Sequence, residues 1–334
     1  MGGDFAPHNV VAGAVEALRE TGNRFEILFV GLESAVREEL SAIRNNGLSY
    51  RVINASQVID MHDTATAALK QKRDSSIAVG VTLHKDGLAD AFVSAGNTGA
   101  VLSASTVILG RMEGVGRPTI GAFLPTENGV CLLLDAGANV DCKPQHLYEF
   151  AVMGSIYAEE MLRVERPTIG LLSIGEESSK GNEASLEAFR LLSRSGLNFI
   201  GNVEGRDILK GKAKVVVCDG FVGNVLLKFA ESVLDLLRTK LRQHASKNIV
   251  RKLWIGMMQG TLRTILKDLD YQEHGGVPLL GVKGVSIIGH GKSTPKAFKN
   301  MILKAEEMVR KDITRHIQEA MDRLRLSDDK TSAL

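Results

Sequence analysis

The stretch Ala91-Phe-Val-Ser-Ala-Gly-Asn-Thr-Gly-Ala-Val-Leu-Ser-Ala104 decides how the chain is read. Ala91–Val93 is a short apolar run that delivers Ser94. Gly96 and Gly99 then bracket Asn97 and Thr98, and an Ala/Leu/Val-rich run of helical character follows. Strand, tight glycine turn and helix leave free backbone N–H groups and the positive helix end facing whatever lies above the turn, which suits an anion. Glycine admits positive φ and close approach of a ligand to the backbone, and Asn and Thr both cap helix starts. Read alone, the stretch is an ordinary capped turn. Its weight comes from repetition.

Outward from it, apolar runs at Phe25–Val30, Tyr50–Ile53, Ala89–Val93, Thr119–Phe123, Val130–Leu134, Thr168–Ser173, Phe199–Ile200, Lys214–Cys218 and Val285–Ile288 predict strands. Helical spacing covers Val10–Arg19, Glu33–Ile43, Ala65–Lys72, Ile77–Lys85, Val101–Leu109, His146–Leu162, Ala184–Ser193, the run from Val225 and a start near Pro295. Val130–Leu134 is apolar throughout, as for a strand covered on both faces. Strands alternating with helices predict an α/β fold with a largely parallel sheet wrapped on both sides. No Pro/Gly/Ser linker divides the chain and the turn spacing is uneven, so residues 1–334 read as one domain rather than a solenoid.

The totals bound the function. The chain has 334 residues, 44% hydrophobic and 24% charged, which are globular values. Lys+Arg 41 against Asp+Glu 39 gives a net charge of +2, so a nucleic-acid surface is not indicated. Cys131, Cys142 and Cys218 are odd in number and widely spaced, forming neither a disulfide framework nor a zinc pattern; a reducing cytoplasm is the simplest setting. No apolar run is long enough to span a bilayer, and Met1-Gly-Gly-Asp-Phe-Ala-Pro-His8 is not a signal peptide. It opens directly on a glycine turn, which in an α/β protein normally follows a strand.

Gly–Asn pairs recur at Gly96-Asn97, Gly181-Asn182 and Gly223-Asn224, with Gly137-Ala138-Asn139 close to the pattern. In a parallel sheet all of them fall on the carboxyl edge, where α/β proteins bind ligands. Each helix end contributes roughly 0.3–1 kcal/mol toward an anion, up to about 2 when partly buried. Lys143, Lys180 and Arg206 are candidate anion partners, and Asp135, Asp141, Glu204 and Asp219 are candidates to orient them or to transfer protons. For any one of these residues capping or salt bridging is the plainer role, and Lys180 and Arg206 carry most weight because each follows a strand in a polar loop. Gly289-His290-Gly291-Lys292-Ser293 imitates the end of a P-loop, but Ser286 stands where the first glycine is needed. It reads as another anion-facing turn, not an ATPase. A G-x-G-x-x-G opening and a G-x-S-x-G elbow are both missing, and the cysteines lie in or beside apolar strands, so no covalent nucleophile stands out.

Between Val233 and Leu269 the character changes. Apolar residues at helical spacing, including Trp254, Met257 and Met258, alternate with Arg238, Lys240, Arg242, Arg251, Lys252 and Arg263. A dimer contact is the first expectation for this helical excursion at about 233–270. The sharper one is a basic amphipathic surface, with Arg251, Lys252, Trp254 and Arg263 facing an acidic protein or an anionic membrane.

MGGDFAP, SAGNTGA, LLDAGANVDCKP, KGNE, GNVEGRD, DGFVGNV and HGKS, in this order over nearly the whole chain, closely resemble the phosphate acyltransferase family of bacterial phospholipid synthesis. The resemblance implies a three-layer α/β/α fold similar to phosphotransacetylases and the isocitrate dehydrogenase group. It implies transfer of a long-chain acyl group from acyl carrier protein to inorganic phosphate, giving acyl phosphate for a membrane glycerol-3-phosphate acyltransferase and so for phosphatidic acid. A cytoplasmic homodimer able to touch the inner membrane face goes with it, without cofactor, metal or nucleic acid. Family members usually carry a short apolar strand before the MGGD turn; this sequence starts inside that motif, and a later start codon or a trimmed chain is expected rather than a true variant. Phosphate is itself a nucleophile once positioned. Asn97, Asn139, Lys180 and Arg206 are therefore the expected catalytic set. Ser94, Gly96, Thr98, Gly99, Asp135, Lys143, Asn182, Asp219, Asn224 and His290 are expected around phosphate and acyl group. A phosphotransacetylase using acyl-CoA, an NAD-dependent metal-assisted dehydrogenase on the same scaffold, and a non-catalytic scaffold for lipid enzymes are the alternatives.

Overall fold

The computed structural model describes residues 1–246, 260 and 275–332. The excursion beyond residue 246, including Arg251, Lys252, Trp254 and Arg263, lies outside the described residues. An eight-stranded sheet has the order β3-β10-β9-β4-β5-β8-β6-β7, and a separate pair is made of β1 and β2. The strands are β1 (Ile27–Gly31), β2 (Tyr50–Asn54), β3 (Ala91–Ser94), β4 (Thr119–Thr126), β5 (Gly129–Leu134), β6 (Ile169–Leu172), β7 (Phe199–Val203), β8 (Val215–Val217), β9 (Val277–Leu280) and β10 (Val285–Ile288).

Helices cover both faces. They are α1 (His8–Thr21), α2 (Glu33–Ala42), α3 (Ala65–Gln71), α4 (Ser76–Lys85), α5 (Thr98–Ala104), α6 (Pro144–Met161), α7 (Glu183–Ser193), α8 (Gly205–Lys210), α9 (Gly220–Ala245), α10 (Pro295–Arg310) and α11 (Ile313–Ser332). Strand alternation explains the layering. Leu132, Leu134, Val215 and Val217 share one core with residues of α6, α7, α10 and α11. Cys131, Leu133 and Val216 point the other way, into a core with Ile208 of α8 and Leu226, Leu227 and Ala230 of α9. With both faces of β5 and β8 buried, every position is apolar. Gly154 lets α6 come down onto the sheet, since a Cβ there would stand 2.6 Å from the Leu134 side chain and 2.7 Å from that of Val215. At the other end of the sheet, Val101, Ala104, Ile77 and Val81 pack over Ile120, Leu279 and Ile288.

The sheet is mixed. β3–β10, β5–β8, β8–β6 and β6–β7 are parallel, whereas β10–β9, β9–β4 and β4–β5 are antiparallel. Two features not expected from the sequence cause this. β4 and β5 form a hairpin around Glu127-Asn128, with Thr126 paired to Gly129. β9, which contains Pro278, is an additional strand between β10 and β4. These reversals turn β3 and β10 against β5, β8, β6 and β7. The Gly–Asn turns therefore do not share one edge. The turns after β3 and β10 lie on one rim of the sheet, and those after β5, β8, β6 and β7 on the other.

Candidate active site

The first rim gathers three turns. Asp4 donates its N–H to the Gly291 carbonyl at 2.9 Å, and the Asn9 side chain donates to the Ser293 carbonyl at 2.9 Å. Ser94, Gly96, Asn97, Thr98, Gly99 and His290 all belong here. Asn97 is 8% exposed. Its Oδ1 accepts from Ala100 N at 3.0 Å, capping α5. Its Nδ2 lies 3.2, 3.3 and 3.0 Å from the carbonyls of Asp60, Met61 and Asp63. The two amide hydrogens are thus engaged in fixing the 60–63 loop, which corrects the expectation of a free donor. Ser94 Oγ accepts from Gly96 N at 3.2 Å, Thr98 is exposed, and His290 Nδ1 accepts from Lys292 N at 3.2 Å.

The second rim is organised by Asp135, which is fully buried. One carboxylate oxygen accepts from Ile120 N (3.2 Å), Gly137 N (3.1 Å) and Ala138 N (3.0 Å). The other accepts from Asn139 N (2.7 Å) and Asn139 Nδ2 (2.8 Å). Burial raises its pKa from the ordinary aspartate value, against the lowering effect of these donors. The second hydrogen of Asn139 Nδ2 goes to the Pro118 carbonyl at 2.7 Å. Asn139, like Asn97, is a scaffold residue without an amide hydrogen to spare.

The start of α9 sits directly on this loop. Gly220 N donates to the Asn139 carbonyl at 2.7 Å. A Cβ at Gly220 would stand 2.7 Å from that oxygen, and one at Gly223 only 1.8 Å from the Asp135 carbonyl oxygen. Asp219 Oδ1 accepts from Val222 N at 2.8 Å, capping the helix. Gly137, at φ 132, faces the Asn224 side chain, and Asn224 is exposed with no hydrogen-bond partner among the described residues.

Two loops flank this centre at the ends of β6 and β7. Asn182 caps α7 by accepting from Ser185 N at 2.9 Å. Ser173 Oγ donates to the Lys180 carbonyl at 3.1 Å, while the Lys180 ammonium is exposed and forms no ion pair among the described residues. Arg206 is exposed too, with its Nε 2.7 Å from Glu204 Oε2. The expected cations thus split: Lys180 and Lys143 are uncommitted, and Arg206 is held by a neighbour.

The same rim holds residues the sequence reading passed over. Arg117 precedes β4, exposed and without a partner among the described residues. His146, in the first turn of α6, accepts from Lys143 N through Nδ1 at 3.2 Å, so the neutral ring carries its proton on Nε2. Burial, with Arg117 and Lys143 nearby, lowers the His146 pKa. Glu149, 4% exposed, accepts from Gly116 N at 2.8 Å and anchors the loop that bears Arg117; burial raises its pKa. Attention to residues after strands could not find Arg117, because an antiparallel strand brings its beginning, not its end, to this rim.

Chemically, this rim offers three uncommitted cations, several helix N-termini and an amide side chain. It offers no thiolate. Burial pushes the thiols of Cys131 and Cys142 up to about 12 and that of Cys218 up as well, and a thiol so shifted is almost wholly protonated at neutral pH. Among the described residues no group of three or more His, Cys, Asp or Glu is placed to hold a metal, and no helix is long and apolar enough to cross a membrane.

Comparison with known proteins gives a consistent picture. The sequence model of the family described as "Fatty acid synthesis protein" matches residues 1–316. A phosphate acyltransferase of Desulforudis audaxviator (strain MP104C) is 49% identical over 313 residues, 94% of this chain and 92% of that one. One from Chlorobaculum parvum (strain DSM 263 / NCIMB 8327) is 47% identical over 326 residues, covering 95% and 96%. Among solved structures, a phosphotransacetylase from Streptococcus pyogenes superimposes with a TM-score of 0.58 at 18% identity, over 91% of this chain and 99% of that one. The EutD phosphotransacetylase from Staphylococcus aureus gives 0.55 at 15% identity, over 90% and 99%. At these identities the structural likeness speaks for the fold.

Proposed function

The chain belongs to the fatty acid synthesis protein family and is an acyltransferase acting on phosphate; from this premise we propose that its donor is a long-chain acyl group on acyl carrier protein and its product an acyl phosphate. The product then serves a membrane glycerol-3-phosphate acyltransferase on the way to phosphatidic acid. The observation that carries the site assignment is the row of uncommitted cations, Arg117, Lys143 and Lys180, beside the starts of α6, α9 and α7.

In this reading the cations and helix ends hold phosphate. A phosphate oxygen attacks the thioester carbonyl, the C–O bond forms, the C–S bond breaks, and the carrier's thiol leaves and takes up a proton. Asn224 and backbone N–H groups face the oxyanion that develops between the two steps. Asp135, Asn139 and Glu149 hold the loops that carry these groups. Arg206, Asn182 and Asp219 line the approach.

Acyl phosphate formation measured side by side with acyl-carrier protein and acyl-CoA tests the donor. Faster turnover of the carrier-bound substrate is expected. Preference for acyl-CoA turns the reading toward a phosphotransacetylase, the second reading that the fold neighbours favour. In the same assay Lys180→Ala is expected to lower kcat/KM by about 10²-fold or more, the scale for one transition-state charge partner, and Arg206→Ala to cost far less. Full activity in Lys180→Ala removes Lys180 from the site.

The carrier protein is acidic and the product must reach a membrane, so a homodimer at the inner membrane face completes the proposal. Along α9, Val222, Val225, Phe229, Val233 and Leu236 are 41–66% exposed and recur at spacings of three and four residues. Such a stripe is suited to a second helix.

A further inference from the structure

Three large apolar side chains stand in solvent at the second rim, and they fall in a pattern. Val140, Phe221 and Ile174 are 63%, 60% and 84% exposed. They follow β5, β8 and β6, which are successive neighbours in the sheet. A single exposed apolar residue is ordinary on a protein surface, whereas adjacent ones mark a surface that meets something apolar.

Backbone contacts bring the three loops together. Val140 follows Asn139, whose carbonyl accepts from Gly220 N at 2.7 Å, and Phe221 follows Gly220. β6 and β8 are parallel, with Leu171 opposite Val217. Carried forward by three residues, that register sets Ile174 level with Gly220. Strands lie about 4.8 Å apart, so the row spans roughly 10 Å.

Each member of the row has a polar companion among the groups assigned to phosphate and oxyanion. Val140 opens the turn into Lys143, where Cys142 Sγ donates to the Asn139 carbonyl at 3.6 Å. Ile174 precedes Gly175, at which a Cβ would stand 3.0 Å from Lys180 Cγ. Phe221 lies almost one helical turn before Asn224 on α9. Charge and bare hydrocarbon thus alternate along one rim. An acyl phosphate has the same two halves, joined at its carbonyl carbon.

We propose that Val140, Phe221 and Ile174 form a lip along which the acyl chain lies while its carbonyl carbon meets phosphate, and that this lip sets a preference for long over short acyl groups. The inference rests on the reading of the chain as an enzyme that forms acyl phosphate, and it holds whichever carrier bears the acyl group. The lip is a shelf open to solvent. Methylenes that lie on it leave water and strengthen binding, while those beyond it add nothing.

Acyl phosphate formation is measured with butyryl- and dodecanoyl-acyl carrier protein and with the same two CoA thioesters. The parent chain is compared with Ile174→Ser, with Phe221→Ser combined with Ile174→Ser, and with Val107→Ser, which removes an apolar residue 72% exposed elsewhere. With dodecanoyl donors the double variant is expected to lose about tenfold in kcat/KM, mostly through KM, and with butyryl donors less than about twofold. Ile174→Ser shows the same selectivity in smaller measure, and Val107→Ser matches the parent. Because Ile174 is 84% exposed, its single variant carries the test if the double variant fails to fold. Equal losses for both chain lengths, or none, overturn the lip while leaving acyl transfer to phosphate in place. Equal losses together with slower sedimentation overturn it too, and assign the row to a second copy of the chain. A parent chain that forms acyl phosphate from none of the four donors overturns the proposed function, and the lip with it.

Discussion

Asp135 shows how one buried carboxylate can hold together the loops of a candidate site. It collects N–H groups from Ile120, Gly137, Ala138 and Asn139, so both of its oxygens must act as acceptors. Asp135→Asn sets an N–H₂ group against one set of donors, and is expected to cost about 3 kcal/mol in urea unfolding together with most of the activity. Its raised pKa also has a sign. Between the ordinary aspartate value and the raised one the folded state holds more protons, so this group's contribution to stability falls as pH rises through that window. His146 acts in the opposite sense. Its lowered pKa means that the unfolded chain binds the proton more readily, so the stability contributed by the neutral ring is full above the ordinary histidine value near 6.5 and is lost as pH falls through the folded value. Urea midpoints at pH 5 and pH 7.5 should therefore differ less in His146→Asn than in the parent chain.

At the scale of elements, the contact between α9 and the Asp135 loop is the tightest join around the site. Gly223→Ala places a methyl 1.8 Å from the Asp135 carbonyl oxygen, where neither backbone can yield cheaply. The variant is expected to lose about 1–3 kcal/mol and nearly all acyl transfer, because the helix start and Asn224 move together; normal kinetics would show that α9 need not seat here. The sequence announced most elements plainly, since apolar runs and glycine turns mark β3, β5, β6 and β8 within a residue or two. Val277-Pro-Leu-Leu280 gave no such signal. A proline argues against a central strand, yet Pro278 pairs with Ile287 in an antiparallel ladder. Without β9 and the β4–β5 hairpin the sheet looks parallel and all Gly–Asn turns fall on one rim. With them, Ser94–Gly99 and His290 move to the opposite rim from Asp135 and Lys180. Sequence could not show that Asn97 and Asn139 spend their amide hydrogens on carbonyls from distant loops, nor that Arg117 enters from the start of a strand.

For the whole molecule, the exposed apolar stripe of α9 is the surface on which the proposed homodimer rests. Phe229→Glu together with Leu236→Glu is expected to convert a dimer to a monomer in sedimentation velocity without lowering the thermal midpoint of the remaining fold; a parent chain that already sediments as a monomer would refute that assignment. The Asp135 hub has one more consequence, in time rather than space. The Cys218 thiol meets the Asp135 carbonyl across 83 residues of chain, and Gly220 closes onto Asn139 from the same distant segment. Non-local closures of this kind are made late, after the local helices and hairpins have formed. A nascent chain that has not yet released α9 from the ribosome has strands and turns but no seated hub. Catalytic competence is thus expected to wait on a segment made some 80 residues after the hub loop, and recovery of activity on refolding to lag the formation of local helices and hairpins.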